Sequence, residues 1–566
     1  MVAFFRMVFA FLMSLIMMAS NGLATNMIFD VPQAKTAEEL AELDDLFDVY
    51  PLSREIVVID QGRLNAAQVY TVVSLQGVVG KKEVSILLNN YSGGTNAAMK
   101  ELEKQGYTLL RADENGNAWT FESLLSRFAT EEYITDLGYV LYTTQTDDAQ
   151  LNTATNYATV FGWLPIPAEL EATAKECGLT CKKDLTKEKC GFASQLDFYK
   201  EHKDAFKDNI LVHQYSIALG LRDLAIQQGI FVMYTTEEDP IGKACRTAVL
   251  KEMQPGTAVL GWGQYEIKFV GDITQQGHFV IPADHCVNNS VLSSFAFETG
   301  PMNEPVEDIT LDPTKHYVVL LYSDGDNAQW VQGGYREYFT WKTYNEDVPV
   351  TWTFPPLMPD FSSANTKAVL DVKGEDCIVC GPSGAGYTRL NEMQGNGLEA
   401  TSDITAATML QNGMTTLTLL GDIFENKVEE KAFLNKLEFY ARYDNINGAL
   451  LQLDGDRYSA GKGQVWFIND KPFISVRQSL WYPGGEGSDV PAEWIEEQAA
   501  LVNARNADIH SVDGYSVINI HPWTVSTENL RYFVSLLDDG VQVITGDELI
   551  AALDKYIPHE NATPQS

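Results

Sequence analysis

A chain of 566 residues exceeds one ordinary domain, and 45% hydrophobic against 21% charged residues is the composition of a folded protein rather than a disordered one. Forty Lys and Arg against 77 Asp and Glu leave a net charge of −37. A surface that acidic repels phosphodiester backbones and anionic lipid, which argues against nucleic acid and membrane surfaces as partners.

Arg6 precedes the apolar run 7–18, and Gly22-Leu23-Ala24 offers a small-x-small cleavage site. The run falls well short of the roughly 20 residues of a transmembrane span, so 1–24 reads as a signal peptide and the mature protein as secreted or lumenal. Seven cysteines suit that compartment. Cys177, Cys181 and Cys190, or Cys245 with Cys286, are disulfide candidates, whereas Cys377 and Cys380 sit in an apolar strand run and read as buried thiols. Asn90, Asn288 and Asn561 begin glycosylation sequons.

From about residue 50 onward short α/β units follow one another, with expected divisions at 25–135, 136–205 and 206–311. The stretch 65–78 reads as a helix, 85–89 and 138–142 as strands, 166–178 and 209–228 as helical, and 231–234 and 258–260 as strands. After residue 312 the rhythm becomes regular. Strand-length apolar runs fall at 317–322, 376–380, 415–420, 449–453, 473–476, 515–520 and 541–544, with helical patterns at 404–410, 427–443, 492–506, 528–537 and 547–556 between most of them. Seven buried strands alternating with helices predict an α/β fold with a TIM-like (β/α) barrel over 312–557, followed by a short tail at 558–566. An open doubly wound sheet is the competing topology.

Almost every strand run ends in polar or glycine-rich sequence: Asp324-Gly325-Asp326-Asn327, Gly381-Pro382-Ser383-Gly384, Gly421-Asp422, Asp454-Gly455-Asp456, Arg477-Gln478 and His521-Pro522-Trp523. Parallel α/β folds gather such ends on one rim, where side chains surround a cleft. Asp324 and Asp326 are the first catalytic candidates. Two carboxylates so close hold one proton between them or bind a divalent cation; no cofactor is expected, and that cation is the alternative. Asp454, Asp456 or Asp422 would supply a second carboxylate from across the rim. His521 is an acid/base candidate with Trp523 as a sugar platform, and Arg477 would orient a carboxylate. Further substrate-binding candidates are Asn327, Gly384, Gly386, Tyr387 and Trp481. The 381–388 loop has superficial phosphate-loop spacing, but Tyr387 stands where the phosphate-contacting lysine would be.

Gly384, Gly386 and Tyr387 resemble the signature of the GxGYxYP family of predicted glycoside hydrolases, while Arg389 and Leu390 occupy its Tyr-Pro positions. Leu75-Gln76-Gly77, Gly261-Trp262-Gly263 with Glu266, Ser323–Asn327, Arg477 with Leu480-Trp481, and His521-Pro522-Trp523 are similar to family landmarks in the same order. The resemblance implies a carbohydrate substrate and a hydrolase acting through acid and base carboxylates. Two alternatives stand beside it. A metal-dependent polysaccharide deacetylase would need a histidine pair four residues apart, which the C-terminal half lacks. A non-catalytic glycan-binding protein is the other, favoured by the altered signature.

Overall fold

The computed structural model describes residues 27–144, 149–295, 300–323, 327–332, 348–486 and 488–565. Three small parallel sheets precede a large one. In the first, Val84–Asn89, Leu52–Asp60 and Thr108–Leu110 pair in that order. Its crossover helix Ala66–Gly80 starts at Asn65, which forms a reciprocal capping box with Gln68. In the second, Gly138–Tyr142 lies between Leu164–Pro167 and Thr180–Asp184. The third runs Phe279–Ile281, Ala258–Gly261, Ile210–His213, Phe231–Met233.

The third sheet corrects the helical reading of 209–228. Ile210–His213 is a central strand buried on both faces, and only Arg222–Gln228 is helical. Between them Leu221 takes a left-handed backbone (φ 62°), which breaks the helical run.

The C-terminal sheet has ten strands, in the order Val465–Ile468, Lys471–Ser475, Gly448–Leu453, Thr416–Gly421, Cys377–Cys380, Thr351–Phe354, His316–Tyr322, Tyr515–Ile520, Gln478–Leu480, with Val541–Val543 also paired to His316–Tyr322. All pairings are parallel except that of the Val465–Ile468 edge. The sheet is strongly curled. The continuous stretch 471–480 pairs with Gly448–Leu453 at its start and with Tyr515–Ile520 at its end. Tyr317, Leu450, Ile474 and Tyr515, from strands far apart in the pairing order, meet in one inner cluster plugged by Leu549, Ile550 and Leu553 of the helix Gly546–Tyr556. The alternate residues Val318, Ile378, Leu419, Leu451 and Ile518 face outward onto the surrounding helices. That alternation is the period-two pattern that buries both faces of a parallel sheet.

The barrel expectation is met in part: helices do cover a curled parallel sheet, but strands beyond the expected seven are present. Thr351–Phe354 was hidden because it is four residues long and closed in by Pro349 and Pro355-Pro356. Arg477 does not end a strand, since the chain runs on through Gln478–Leu480.

All seven cysteines are free thiols. Cys377 packs in the inner cluster and Cys380 in the outer one, so the two point to opposite faces of the sheet. The Asn288 sequon is no glycan acceptor in the folded chain: its buried amide donates to Leu88 O and Thr95 Oγ1 and accepts from Gln76 Nε2 and Leu88 N. Among the described residues no helix is long and apolar enough to cross a membrane.

Candidate active site

Adjacent strands Thr416–Gly421 and Gly448–Leu453 pair with Gly421 opposite Leu453, so the residues that follow them, Asp422 and Asp454, leave the sheet side by side. The Asp454 amide donates to Gly421 O at 2.7 Å, which fixes their relation. The guanidinium of Arg389 joins them: its Nη2 donates to Asp422 Oδ1 and lies 3.8 Å from Asp454 Oδ2, while its Nε donates to Glu392 Oε1 at 3.1 Å. Burial opposes charge on Arg389, but Asp422, Glu392 and Asp454 outweigh it and raise its pKa. Burial raises the Asp422 carboxyl despite Arg389, with Glu392 and Asp454 pushing the same way.

The loop that carries Arg389 is held from beneath. Lys436, fully buried, donates Nζ hydrogen bonds to the carbonyls of Leu390 (3.2 Å) and Asn391, and Asn391 Oδ1 accepts from the Asp422 amide at 2.7 Å. Burial pulls the Lys436 pKa down to about 7 against the attraction of Glu392 and Asp422.

Arg389, Asp422 and Asp454 line a cavity of about 370 Å³ that also takes in Glu266, Tyr387 and Trp481. Glu266 opens the helix Glu266–Thr274 of the third subdomain, and its Oε1 accepts from the Tyr387 hydroxyl at 3.0 Å. Trp481 stacks on His521, with ring centroids 3.7 Å apart and planes 4° from parallel, and touches Tyr458 at 5.6 Å. His521 Nδ1 shares a hydrogen bond with Thr524 Oγ1 at 3.1 Å, and burial drives its pKa down to about 4, so the ring is neutral at neutral pH. Beside Trp481 the cavity is walled by the turn after Leu453, where Asp456, Arg457 and Tyr458 all have positive φ (47°, 55° and 72°). Each non-glycine residue in that conformation costs about 1–2 kcal/mol, and such cost concentrates at functional sites. Among the described residues no three His, Cys, Asp or Glu side chains are grouped to hold a metal ion.

The family profile described as "GxGYxYP putative glycoside hydrolase C-terminal domain" matches residues 314–553, and that of the "GxGYxYP third domain" matches 209–294. The chain belongs to the GxGYxYP family. A solved structure described as "a putative hydrolase from Bacteroides thetaiotaomicron VPI-5482" superposes with a TM-score of 0.77 over 90% of this chain and 96% of that one, at 22% identity; the two share a fold. A second, described as a "putative polysaccharide deacetylase from Mycobacterium smegmatis", covers 46% of this chain and 99% of that one at 14% identity. Its TM-score is 0.30, too low to carry an argument. Among curated proteins none matches.

The GxGYxYP loop is a seam as much as a site wall. A Cβ on Gly386 would lie 2.5 Å from the Phe279 ring and 2.7 Å from Val280 O, and one on Gly384 (φ 76°) 2.5 Å from Thr405 Oγ1. Both glycines therefore face protein rather than the cavity. Between them and Arg389, Tyr387 exchanges two backbone hydrogen bonds with Val280 (2.7 and 3.0 Å), extending the third sheet. Arg389, at the family's tyrosine position, supplies the cation on which the carboxylates converge.

The other expected site residues divide. Tyr387, Asp454 and Trp481 share the cavity, with His521 behind Trp481. Arg477 is not at the rim. Its buried guanidinium donates to Asp513 O and Tyr515 O, at the beginning of the strand Tyr515–Ile520, on the level opposite the strand ends. Asn327 and Trp523 line a different pocket. Asp324 and Asp326 lie outside the described residues. Glu392, Lys436 and the ion-pair setting of Arg389 were not legible, because their placement comes from a loop whose path only the packed third subdomain defines; Glu266 was visible only as a landmark.

Proposed function

We propose that this chain is an exported glycoside hydrolase whose reaction takes place in the cavity between Asp454, Asp422, Arg389, Glu266 and Trp481. The observation that carries the reading is the convergence of two strand-end carboxylates on one guanidinium, opposite a tryptophan–histidine stack. Glycosidic cleavage needs one protonated and one ionised carboxyl, about 5 Å apart for retention or roughly 6.5–9.5 Å for inversion. Asp454, about half exposed and beside Arg389, takes the part of base or nucleophile. Asp422, engaged by Arg389, positions that guanidinium and the sugar beside it.

For the acid we propose Asp324 or Asp326. Gln452, two residues before Asp454, donates from Nε2 to Ser323 Oγ at 3.1 Å across the interior of the sheet, and Asp324 follows Ser323 directly in sequence. The neutral His521 stiffens Trp481 as a stacking platform and exchanges hydrogen bonds rather than protons above pH 4. A divalent cation at Asp324 and Asp326 remains the alternative use of that pair.

Asp454→Asn and Asp324→Asn are each expected to lower kcat on a hydrolysed glycan at least about a hundredfold, with thermal midpoints within a few degrees of the parent. Full activity in both variants would overturn the assignment. The contact of Arg389 with Asp422 favours a second reading, a glycan-binding protein on an enzyme scaffold; binding without cleavage by the unaltered protein would select it. Export is tested by N-terminal sequencing of the secreted chain, expected to begin just after Ala24.

A further inference from the structure

The pocket that holds Asn327 and Trp523 differs in chemistry from the carboxylate cavity. It encloses about 220 Å³ and is walled by three parts of the chain: Asn90 and Ser92 from the first sheet's rim, His285 from the third subdomain, and Asn327, Trp330 and Trp523 from the C-terminal domain. No Asp, Glu, Lys or Arg stands among its described lining residues, whereas the carboxylate cavity carries four acids and two arginines. A void below the roughly 300 Å³ typical of a whole small-molecule ligand suits one ring-sized unit of a longer molecule.

The pocket is held in place from several sides. Gln329 Oε1 accepts from the His285 amide at 2.7 Å, and Gln332 Nε2 donates to Asn289 Oδ1 at 2.8 Å. Gly94 lies so close to the Gln332 carbonyl that a Cβ there would sit 2.0 Å from the oxygen. Against this frame Trp330 and Trp523 pack with ring centroids 4.6 Å apart and planes tilted by 54°. Trp523 nonetheless stays 39% exposed at the mouth of the pocket.

We infer that this second rim pocket is a binding subsite for an uncharged sugar residue, distinct from the carboxylate cavity. The negative face of an indole attracts the weakly positive C–H face of a pyranose, and side-chain amides offer the paired donors and acceptors that vicinal hydroxyls need. The described lining carries no fixed charge, which suits a ligand that carries none. Trp523 lies two residues beyond His521, whose ring backs Trp481 in the other cavity, so both pockets open on one rim. The inference rests on the glycan-directed function proposed above and adds to it that a polymeric substrate is held away from the point of cleavage.

Affinity electrophoresis tests it directly, with the full secreted chain run through gels that contain soluble neutral polysaccharides (galactomannan, xyloglucan, hydroxyethylcellulose) or anionic polygalacturonate. The parent is expected to be retarded by at least one neutral polymer and not by polygalacturonate. Trp523→Ala should weaken that retardation about tenfold, Trp523→Phe should restore most of it, and Asp454→Asn should be retarded like the parent. No retardation of the parent, equal retardation of Trp523→Ala at an unchanged thermal midpoint, or loss of retardation in Asp454→Asn would each overturn the subsite. Failure of the hydrolase reading looks different: Trp523-dependent binding persists and no glycan is cleaved.

Discussion

Arg389 shows how one side chain gathers three carboxylates. Asp422 and Glu392 are drawn out of water around it, and removing the guanidinium takes away the ion pair of each, leaving Lys436 to attract them from beneath. Arg389→Gln is expected to cost about 2–3 kcal/mol, below the value for a fully buried pair because some solvent reaches the site. The pH dependence follows from Asp422, whose native pKa burial holds above its unfolded value. Such a carboxyl binds a proton more readily folded than unfolded, so its contribution to stability falls as pH rises through that window. Without Arg389 the window widens upward. The deficit of Arg389→Gln is therefore expected to be greatest at neutral pH and to shrink toward about pH 4, measured as urea midpoints.

Among the elements, the strand His316–Tyr322 and its neighbours with unbroken β-branched or leucine-rich runs were legible, since burial on both faces of a parallel sheet demands such runs. Tyr515–Ile520 was legible to the residue. The strand Ile210–His213 was lost inside a longer apolar stretch that continues into a real helix, and nothing in composition marks the break at Leu221. The strand-end rule found Asp422 and Asp454 but misplaced Arg477, because two short paired segments, Lys471–Ser475 and Gln478–Leu480, follow one another with only two residues between. Sequence could not show that the glycines of the signature loop serve a contact with another subdomain. That contact makes a prediction: Gly386→Ala must displace Phe279 or the Val280 carbonyl, with an expected loss of about 1–3 kcal/mol. Hydrogen exchange should quicken at the Val280 and Tyr387 amides before it does in the curled sheet.

Across the whole molecule, histidine is buried in its neutral form at several places. Burial lowers His213 to about 3 and His278, His316 and His521 each to about 4, which outweighs the other influences on them. An unfolded histidine takes up its proton near pH 6.5, so between there and about pH 4 the unfolded chain binds more protons and stability falls as the solution is acidified. His316 bonds Asn506 O and Ser516 Oγ, both at 2.9 Å. His316→Gln, which keeps hydrogen-bonding capacity without the titration, is expected to flatten the stability profile between pH 6.5 and 4 while costing stability at pH 7. An unchanged acid slope would place its titration elsewhere.

The Tyr387–Val280 pairing has a further consequence at this scale. Phe279–Ile281 is the outermost strand of the third sheet, and an uncovered outer strand offers its free amides and carbonyls to any other extended chain. Tyr387 takes up the Val280 pair from within the same polypeptide. The loop that walls the cavity is thus also a guard against intermolecular sheet growth. Variants that loosen it are expected to declare themselves first as material lost to insoluble aggregate on expression, with the surviving soluble fraction close to normal.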